Sequence, residues 1–415
     1  MNQGDPPQGG IDPPGFLRAA APAAVLAALA GARAVGGCVR DALAGRDVHD
    51  VDVAAPLPPE EIARRLRNAG LRVFETGLAH GTVTAVLGRD PVEVTALRRH
   101  LVTDGCHAEV AWTEDWREDA ARRDFTFNAM SMDAEGRLWD YFDGREDLAA
   151  GRVRFVGDPA TRLAEDYLRA LRIFRFWARY GQGKPDAAAL AATRDAVPGL
   201  VARVAPERIW MELKRLLAVA DPGAALALMQ QAGLLAAVLP EAGPLDALHH
   251  LIAIGAPADP ILRLAALLPD DLSLEGGTES AALRVAAGLR LSTAEASGLR
   301  WLLGFAKPRL LDPDMPDHAL RAWLAQREPE NAARETWLAE AQDRVDRRAL
   351  RKRALAIPRP IFPVQGRDLL ALGVAPGPEV GALLQELKGW WLRGGCVATR
   401  EACLAELRRQ AAPSP

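Results

Sequence analysis

Asp50 and Asp52 stand one residue apart, a short way after the pair Gly36-Gly37, and that order of residue types suits the chemistry of phosphates. In an extended segment alternate side chains share a face, so the two carboxylates point the same way. Hard divalent cations prefer such oxygens, and two Mg²⁺ ions held by Asp50 and Asp52 are expected. Gly36 and Gly37 precede a helical run, where backbone N–H groups and the helix dipole can receive a triphosphate. Arg40 falls in the first turn of that helix, within reach of phosphate oxygens. Glu93, in Val92-Glu93-Val94-Thr95, sits mid-strand between apolar neighbours, where an unpaired charge is costly, and becomes the third catalytic candidate.

These side chains need a rigid frame, and the hydrophobic pattern provides one. The sequence predicts a helix near 16–30, a short strand ending at Gly36-Gly37 and a helix stopping near Gly45. Strands are predicted at 50–54, 71–75, 82–87, 91–95 and 137–142, with Gly88-Arg89-Asp90 turning the third into the fourth. After Gly151 strand signals nearly vanish, and Ala, Leu, Arg and Glu recur at helical spacing punctuated by Pro and Gly. The expected fold class is α+β: an N-terminal α/β head followed by an all-helical remainder. The expected divisions are a disordered extension over 1–15, a head over 16–151, a helical neck over 152–222, a body over 223–357 and a tail over 358–415. No motif is legible between 225 and 355.

Composition narrows the setting. Of 415 residues 49% are apolar, enough for substantial cores, and the formal charge of −3 conceals a local excess of arginine. Seven arginines between Arg152 and Tyr180 face only Asp158, Glu165 and Asp166, so a polyanion could be held there. The four cysteines (38, 106, 396 and 403) lack any metal-ligand rhythm, and the seven histidines include no HxxxH pair, which argues against a zinc site. No apolar run approaches a membrane span, and free thiols fit a reducing compartment; a cytoplasmic protein with no membrane contact and no obligate protein partner is expected.

The blocks GGCVRDALAGRDVHDVDVA (36–54) and Arg122-Arg123-Asp124-Phe125-Thr126-Phe127-Asn128-Ala129-Met130 together resemble the class II tRNA nucleotidyltransferase and bacterial poly(A) polymerase family, whose head belongs to the DNA polymerase β superfamily. The first looks like that family's metal-binding motif. The second resembles its RRDFTxNA motif, which implies ribose contacts by Arg123, Asp124 and Asn128. Arg162-Leu163-Ala164-Glu165-Asp166-Tyr167-Leu168-Arg169 looks like its EDxxR motif, which implies that amino acids act as the template. Asp166 would accept from a base amino group and Arg169 donate to ring acceptors, an arrangement that C and A can satisfy. Arg172 and Arg175 continue that stripe at helical spacing towards the phosphates. Glu207-Arg208-Ile209-Trp210-Met211-Glu212 resembles a bracing motif, read as structural. Segments 365–370 and 373–381 resemble the family's tail.

The resemblance implies addition of C, C and A to the tRNA 3′ end from CTP and ATP. A poly(A) polymerase, or an enzyme adding only CC or only A, is the alternative. Thr76-Gly77-Leu78-Ala79-His80-Gly81-Thr82-Val83-Thr84 is similar to the tRNA-specific branch. The stretch between Arg98 and Arg122 matches the flexible loop that reaches the final A, although His100 and Cys106 depart from the residues usual there.

Overall fold

β-branched and small apolar residues alternate with polar ones through the first part of the chain, and that period of two builds a sheet. A computed structural model of the protein describes residues 6–77, 81–103, 108–269, 277–304 and 311–411. It divides into two compact units, Met1–Pro240 and Glu241–Pro415.

In the first unit the strands are β1 (Gly9–Gly10), β2 (Arg33–Val35), β3 (Asp52–Ala55), β4 (Arg72–Gly77), β5 (Thr82–Leu87), β6 (Asp90–Ala96), β7 (Arg98–Thr103), β8 (Ala108–Trp112), β9 (Ser131–Met132) and β10 (Arg137–Trp139). Eight of them form one sheet in the order β1-β10-β9-β2-β3-β6-β5-β4, while β7 and β8 form a separate ribbon. Among the described strands only β3 and β6 pair in parallel; the chain between them crosses over through α4 (Pro59–Asn68) and the β4–β5 hairpin. Val53, Ala55, Val83, Ala85, Val92, Val94 and Ala96 are buried, and α2 (Ala20–Ala28) and α4 pack against strands β5 and β6. The alternate residues Asp52, Thr84 and Glu93 therefore lie on the opposite, open face.

Several expectations are corrected here. The predicted helix over 16–30 is two helices, α1 (Gly15–Arg18) and α2, broken at Ala19. Pro22 lacks the N–H that would bond the Arg18 carbonyl, so a helix cannot run through. The N-terminal extension expected to be disordered is ordered from Gln8 onward: β1 pairs with β10, and the Ile11 N–H donates to the Gly136 carbonyl at 3.0 Å. Gly136 makes this approach possible, since it adopts φ +80° and a Cβ there would lie 2.3 Å from the Ile11 oxygen. β3 begins at Asp52, leaving Asp50 in irregular backbone just before it. The stretch between Arg98 and Arg122, expected to be a flexible loop, contains the antiparallel pair β7 and β8, with Arg98 opposite Trp112; Cys106 lies outside the described residues, as does the side chain of His100.

The helices of the remainder of this unit are α3 (Gly37–Leu43), α5 (Trp116–Ala121), α6 (Gly144–Ala149), α7 (Pro159–Glu165), α8 (Arg169–Tyr180), α9 (Ala187–Arg203), α10 (Pro206–Leu217), α11 (Gly223–Gln231) and α12 (Leu234–Val238). α8 packs on α10 and α11, and α12 on α9, so the unit extends to Pro240 and the neck boundary expected at 222 falls inside it. Phe125 stacks on Phe127 and Phe155, and Phe176 meets Phe125 and Phe127 edge to face, with centroids 4.8 to 5.8 Å apart, which fastens the 122–130 turn to α8.

The second unit contains ten helices among the described residues, α13 (Asp246–Ala253) through α22 (Arg400–Ala411). One apolar cluster centres on Leu320, Ala339 and Leu350, another on Leu369, Leu387 and Trp391. No helix among the described residues is long and apolar enough to cross a membrane.

Candidate active site

The parallel register of β3 and β6 sets Asp52 directly beside Glu93, with Thr84 of β5 next in the same row. Asp52 and Glu93 are exposed on the open face, and Asp50 is exposed in the irregular backbone just before β3. Partial desolvation of the Asp52 carboxyl by the surrounding strands, followed by the negative charges of Glu93 and Asp50, raises its pKa above the usual range, and Arg123 offsets part of this. Such mutual repulsion is what a bound cation relieves. Among the described residues no three His, Cys, Asp or Glu side chains form a cage for a metal. Mg²⁺ does not need one, since it takes one or two carboxylates and completes its shell with water and substrate phosphates. The residues present fit that ion.

Gly36 joins β2 to α3 with φ +71° and ψ −119°, a conformation that side-chain-bearing residues rarely adopt. Its N–H donates to the Met130 carbonyl at 3.2 Å, and a Cβ there would lie 3.0 Å from an Arg123 terminal nitrogen. The Cys38 thiol bonds the carbonyls of Val35 (3.3 Å) and Asp52 (3.7 Å), which ties the start of α3 to the acid-bearing strand. Burial pushes that thiol up to about 11, so it serves as an anchor and is poorly suited to act as a nucleophile. Gly36→Ala is expected to cost about 1–3 kcal/mol of stability, the range for a strained backbone position, and to displace Arg123. Urea unfolding measures this, and an unchanged midpoint would contradict it.

Arg40 is placed differently from the expectation. Its guanidinium is buried and turned inward: Nε and Nη2 donate to Asp41 at 3.1 and 3.0 Å, and Nη1 donates to the Asn128 side-chain oxygen at 2.6 Å. Asn128 in turn donates to Asp124 at 2.9 Å, and Arg172 donates twice to the other Asp124 oxygen at 2.8 and 2.5 Å. Arg172 also lies 3.5 Å from Glu212, which receives Arg175 at 2.6 Å. A continuous polar chain thus runs from α3 through the 122–130 turn and α8 to α10. Asp124 and Asn128 are buried within it, so the structure ties these expected ribose contacts into protein bonds. Burial would raise the Asp124 carboxyl, but Arg172 and Asn128 outweigh it and hold the group at about 2.

Arg123 bonds Asp119 at 3.1 Å, with Nη1 on the Asn128 carbonyl at 3.4 Å. Asp119 also pairs with Arg122 at 2.7 Å and accepts from the Arg98 N–H at 3.1 Å. Sequence reasoning missed it, although acids three and four residues before Arg122 and Arg123 are the spacing that pairs on a helix.

Asp166 is not on the α8 helix face expected to carry it. It occupies extended backbone between α7 and α8, accepts the Leu168 N–H at 3.1 Å and pairs with Arg208 at 3.1 Å. Arg169 begins α8 and is buried, with Nη1 on Glu165 at 2.6 Å and on the Arg162 carbonyl at 2.8 Å, and Nη2 on the Arg122 carbonyl at 2.9 Å. The Arg169 N–H donates to the Asp166 carbonyl at 3.0 Å, but their side chains take other partners, and Arg208, read from the sequence only as a brace, pairs with the Asp166 carboxylate.

Comparison with known proteins places this geometry in a lineage. Residues 32–154 match the model described as "Poly A polymerase head domain", and residues 184–245 match "Probable RNA and SrmB- binding site of polymerase A". The chain is 36% identical to the mitochondrial CCA tRNA nucleotidyltransferase 1 of Danio rerio over 90% of its own length and 86% of the relative's. The Homo sapiens counterpart is 33% identical, over 91% and 86%. The CTP complex of the Bacillus stearothermophilus CCA-adding enzyme superposes with a TM-score of 0.70 at 26% identity, over 91% of this chain and 93% of that one. A Thermotoga maritima CCA-adding enzyme complexed with tRNA shares the fold with a TM-score of 0.63 at 19% identity, over 92% and 91%.

Proposed function

Because the chain belongs to the CCA tRNA nucleotidyltransferase family, we propose that it adds C, C and A to the 3′ end of tRNA from CTP and ATP without a nucleic-acid template. The observation that carries this reading is the register of Asp52 with Glu93 on parallel strands, next to a glycine turn that opens α3. The tRNA 3′-hydroxyl attacks the α-phosphorus of the nucleotide; the new P–O bond forms as the bond to pyrophosphate breaks. Asp50 and Asp52 would hold Mg²⁺, which when bound acidifies the hydroxyl and steadies the leaving oxygens. Glu93 orients the attacking hydroxyl. Gly37, at the start of α3, leaves room for phosphate to approach, its nearest side-chain neighbour for a Cβ being Arg40 at 3.6 Å. Free thiols among the described cysteines support a cytoplasmic setting, while the vertebrate relatives carry "mitochondrial" in their names.

Asp166 and Arg169 read the base in this account. Arg169 reaches a base by exchanging a bond to Glu165 or a carbonyl, and Asp166 by sharing Arg208. A good bidentate contact discriminates by ~1–3 kcal/mol, so Asp166→Ala or Arg169→Ala should relax exclusion of UTP and GTP by roughly ten- to a hundredfold. Single-nucleotide incorporation with each triphosphate, on tRNA ending before CCA, tests the assignment. Variants that lose only overall rate would mean that these residues position the triphosphate.

Shortening the β7–β8 hairpin is expected to reduce addition of A more than addition of C, since it borders the site through Arg98 and Asp119. Equal loss of both would make the hairpin a purely structural element.

A further inference from the structure

A cavity of about 500 Å³ lies where the C-terminal ends of α3 and α8 meet α6. Its wall carries Arg46, Arg145 and Arg179 together with Leu43 and Leu148. At ~1.5 Å per helical residue, Arg179 is roughly 15 Å along α8 from Arg169, so this cavity is separate from the base-reading end. Arg46 is held in place, with Nη2 donating to the Arg179 carbonyl at 2.8 Å and the guanidinium 5.0 Å from the centre of the Tyr180 ring.

The acids around the cavity are already committed. Asp41 is engaged by Arg40 and Tyr180, with Arg179 at 3.6 Å. Glu146 pairs with Arg152, and Asp147 with Arg152 and Arg154. Among the described residues no carboxylate pairs with Arg46 or Arg145. Arg46 and Arg145, beside Leu43 and Leu148 and with no counter-ion among the described residues, make a concave anion site.

We propose that this cavity is a second phosphate site, which takes a nucleoside phosphate. The phosphate would sit between Arg46 and Arg145, and the apolar part of the nucleoside against Leu43 and Leu148. An RNA strand or a free nucleotide could supply that group, and the experiment separates the two. The inference rests on the proposed function only for its choice of probes. Carrying it out in an Asp52→Ala background, which removes catalysis without touching the cavity, keeps failure of one distinct from failure of the other.

The test is equilibrium binding of ATP, and separately of tRNA lacking CCA, to the full chain and to its Arg46→Ala/Arg145→Ala variant. If free nucleotide is the ligand, ATP stoichiometry falls from two per chain to one. If RNA is the ligand, tRNA affinity falls by roughly tenfold, as for loss of a charged hydrogen bond. The slope of log affinity against log salt then also shrinks by about 0.7–0.9 per phosphate contact removed. Unchanged stoichiometry together with unchanged tRNA affinity and salt slope would overturn the proposal. Should the double variant be unstable, Arg145→Glu decides alone, since that exposed side chain has no ion-pair partner to lose among the described residues.

Discussion

Asp52→Ala is expected to lower nucleotide incorporation on the order of a thousandfold while leaving the fold intact, and Asp50→Ala to behave alike. Several kcal/mol of transition-state charge stabilisation depend on these ligands, and each 1.36 kcal/mol is tenfold in rate. The stability half of the expectation follows from the sign of the pKa shift. Partial desolvation and the neighbouring charges of Glu93 and Asp50 raise the Asp52 carboxyl, so its ionised form is disfavoured in the folded chain. A group shifted in that direction opposes folding as the pH rises past its unfolded value. Its removal should therefore leave the urea midpoint unchanged or raise it. Turnover within tenfold of the parent, or a loss of activity that tracks a loss of stability, would contradict the assignment.

Asp124→Ala should act in the opposite way, with a large loss of stability. The carboxylate is buried and receives Arg172, Asn128 and the Phe125 N–H, so its removal strands a partly buried guanidinium. Breaking a buried ion pair on one side costs about 3–5 kcal/mol. At roughly 2–4 °C per kcal/mol for a body of this size, the first unit should melt on the order of 10 °C lower. The pKa sign agrees. Burial works against the charge, but Arg172 and Asn128 bring the carboxyl from 3.8 to about 2. Its contribution of about 2 kcal/mol is complete above the unfolded value and is lost as pH falls through about 2. Acid titration of thermal stability should show this step in the parent and lack it in Asp124→Ala. A cost below about 1 kcal/mol would mean that the polar chain from α3 to α10 does not carry the packing.

The three acids of the candidate site show what the sequence made legible. Asp50, Asp52 and Glu93 could be chosen because a carboxylate in an apolar or alternating context must have a function or a partner. Which acids meet was not readable, since the Asp52–Glu93 register depends on a parallel crossover through α4, and spacing alone does not encode it. Strands β5 and β6 were clear from their alternation and their glycine turn. The N-terminal edge strand was hidden because Gly9 and Gly10 have no side chains to form a pattern. The partners of the arginines were not legible for a common reason. A guanidinium looks free in a sequence, yet Arg40, Arg169 and Arg172 each find an internal acceptor contributed by a distant or neighbouring turn. Helical spacing aligns Asp166 with Arg169 and Arg172 on one face, but the chain is extended at Asp166, and the carboxylate instead accepts the Leu168 N–H.

Product length on a tRNA ending just before CCA, with CTP and ATP both present, tests the central claim most directly. The account predicts growth by three nucleotides and then arrest, with C, C and A read in that order at the new 3′ end, and growth by two when ATP is omitted. A ladder of adenosines extending past three, or arrest after CC with ATP present, would contradict it.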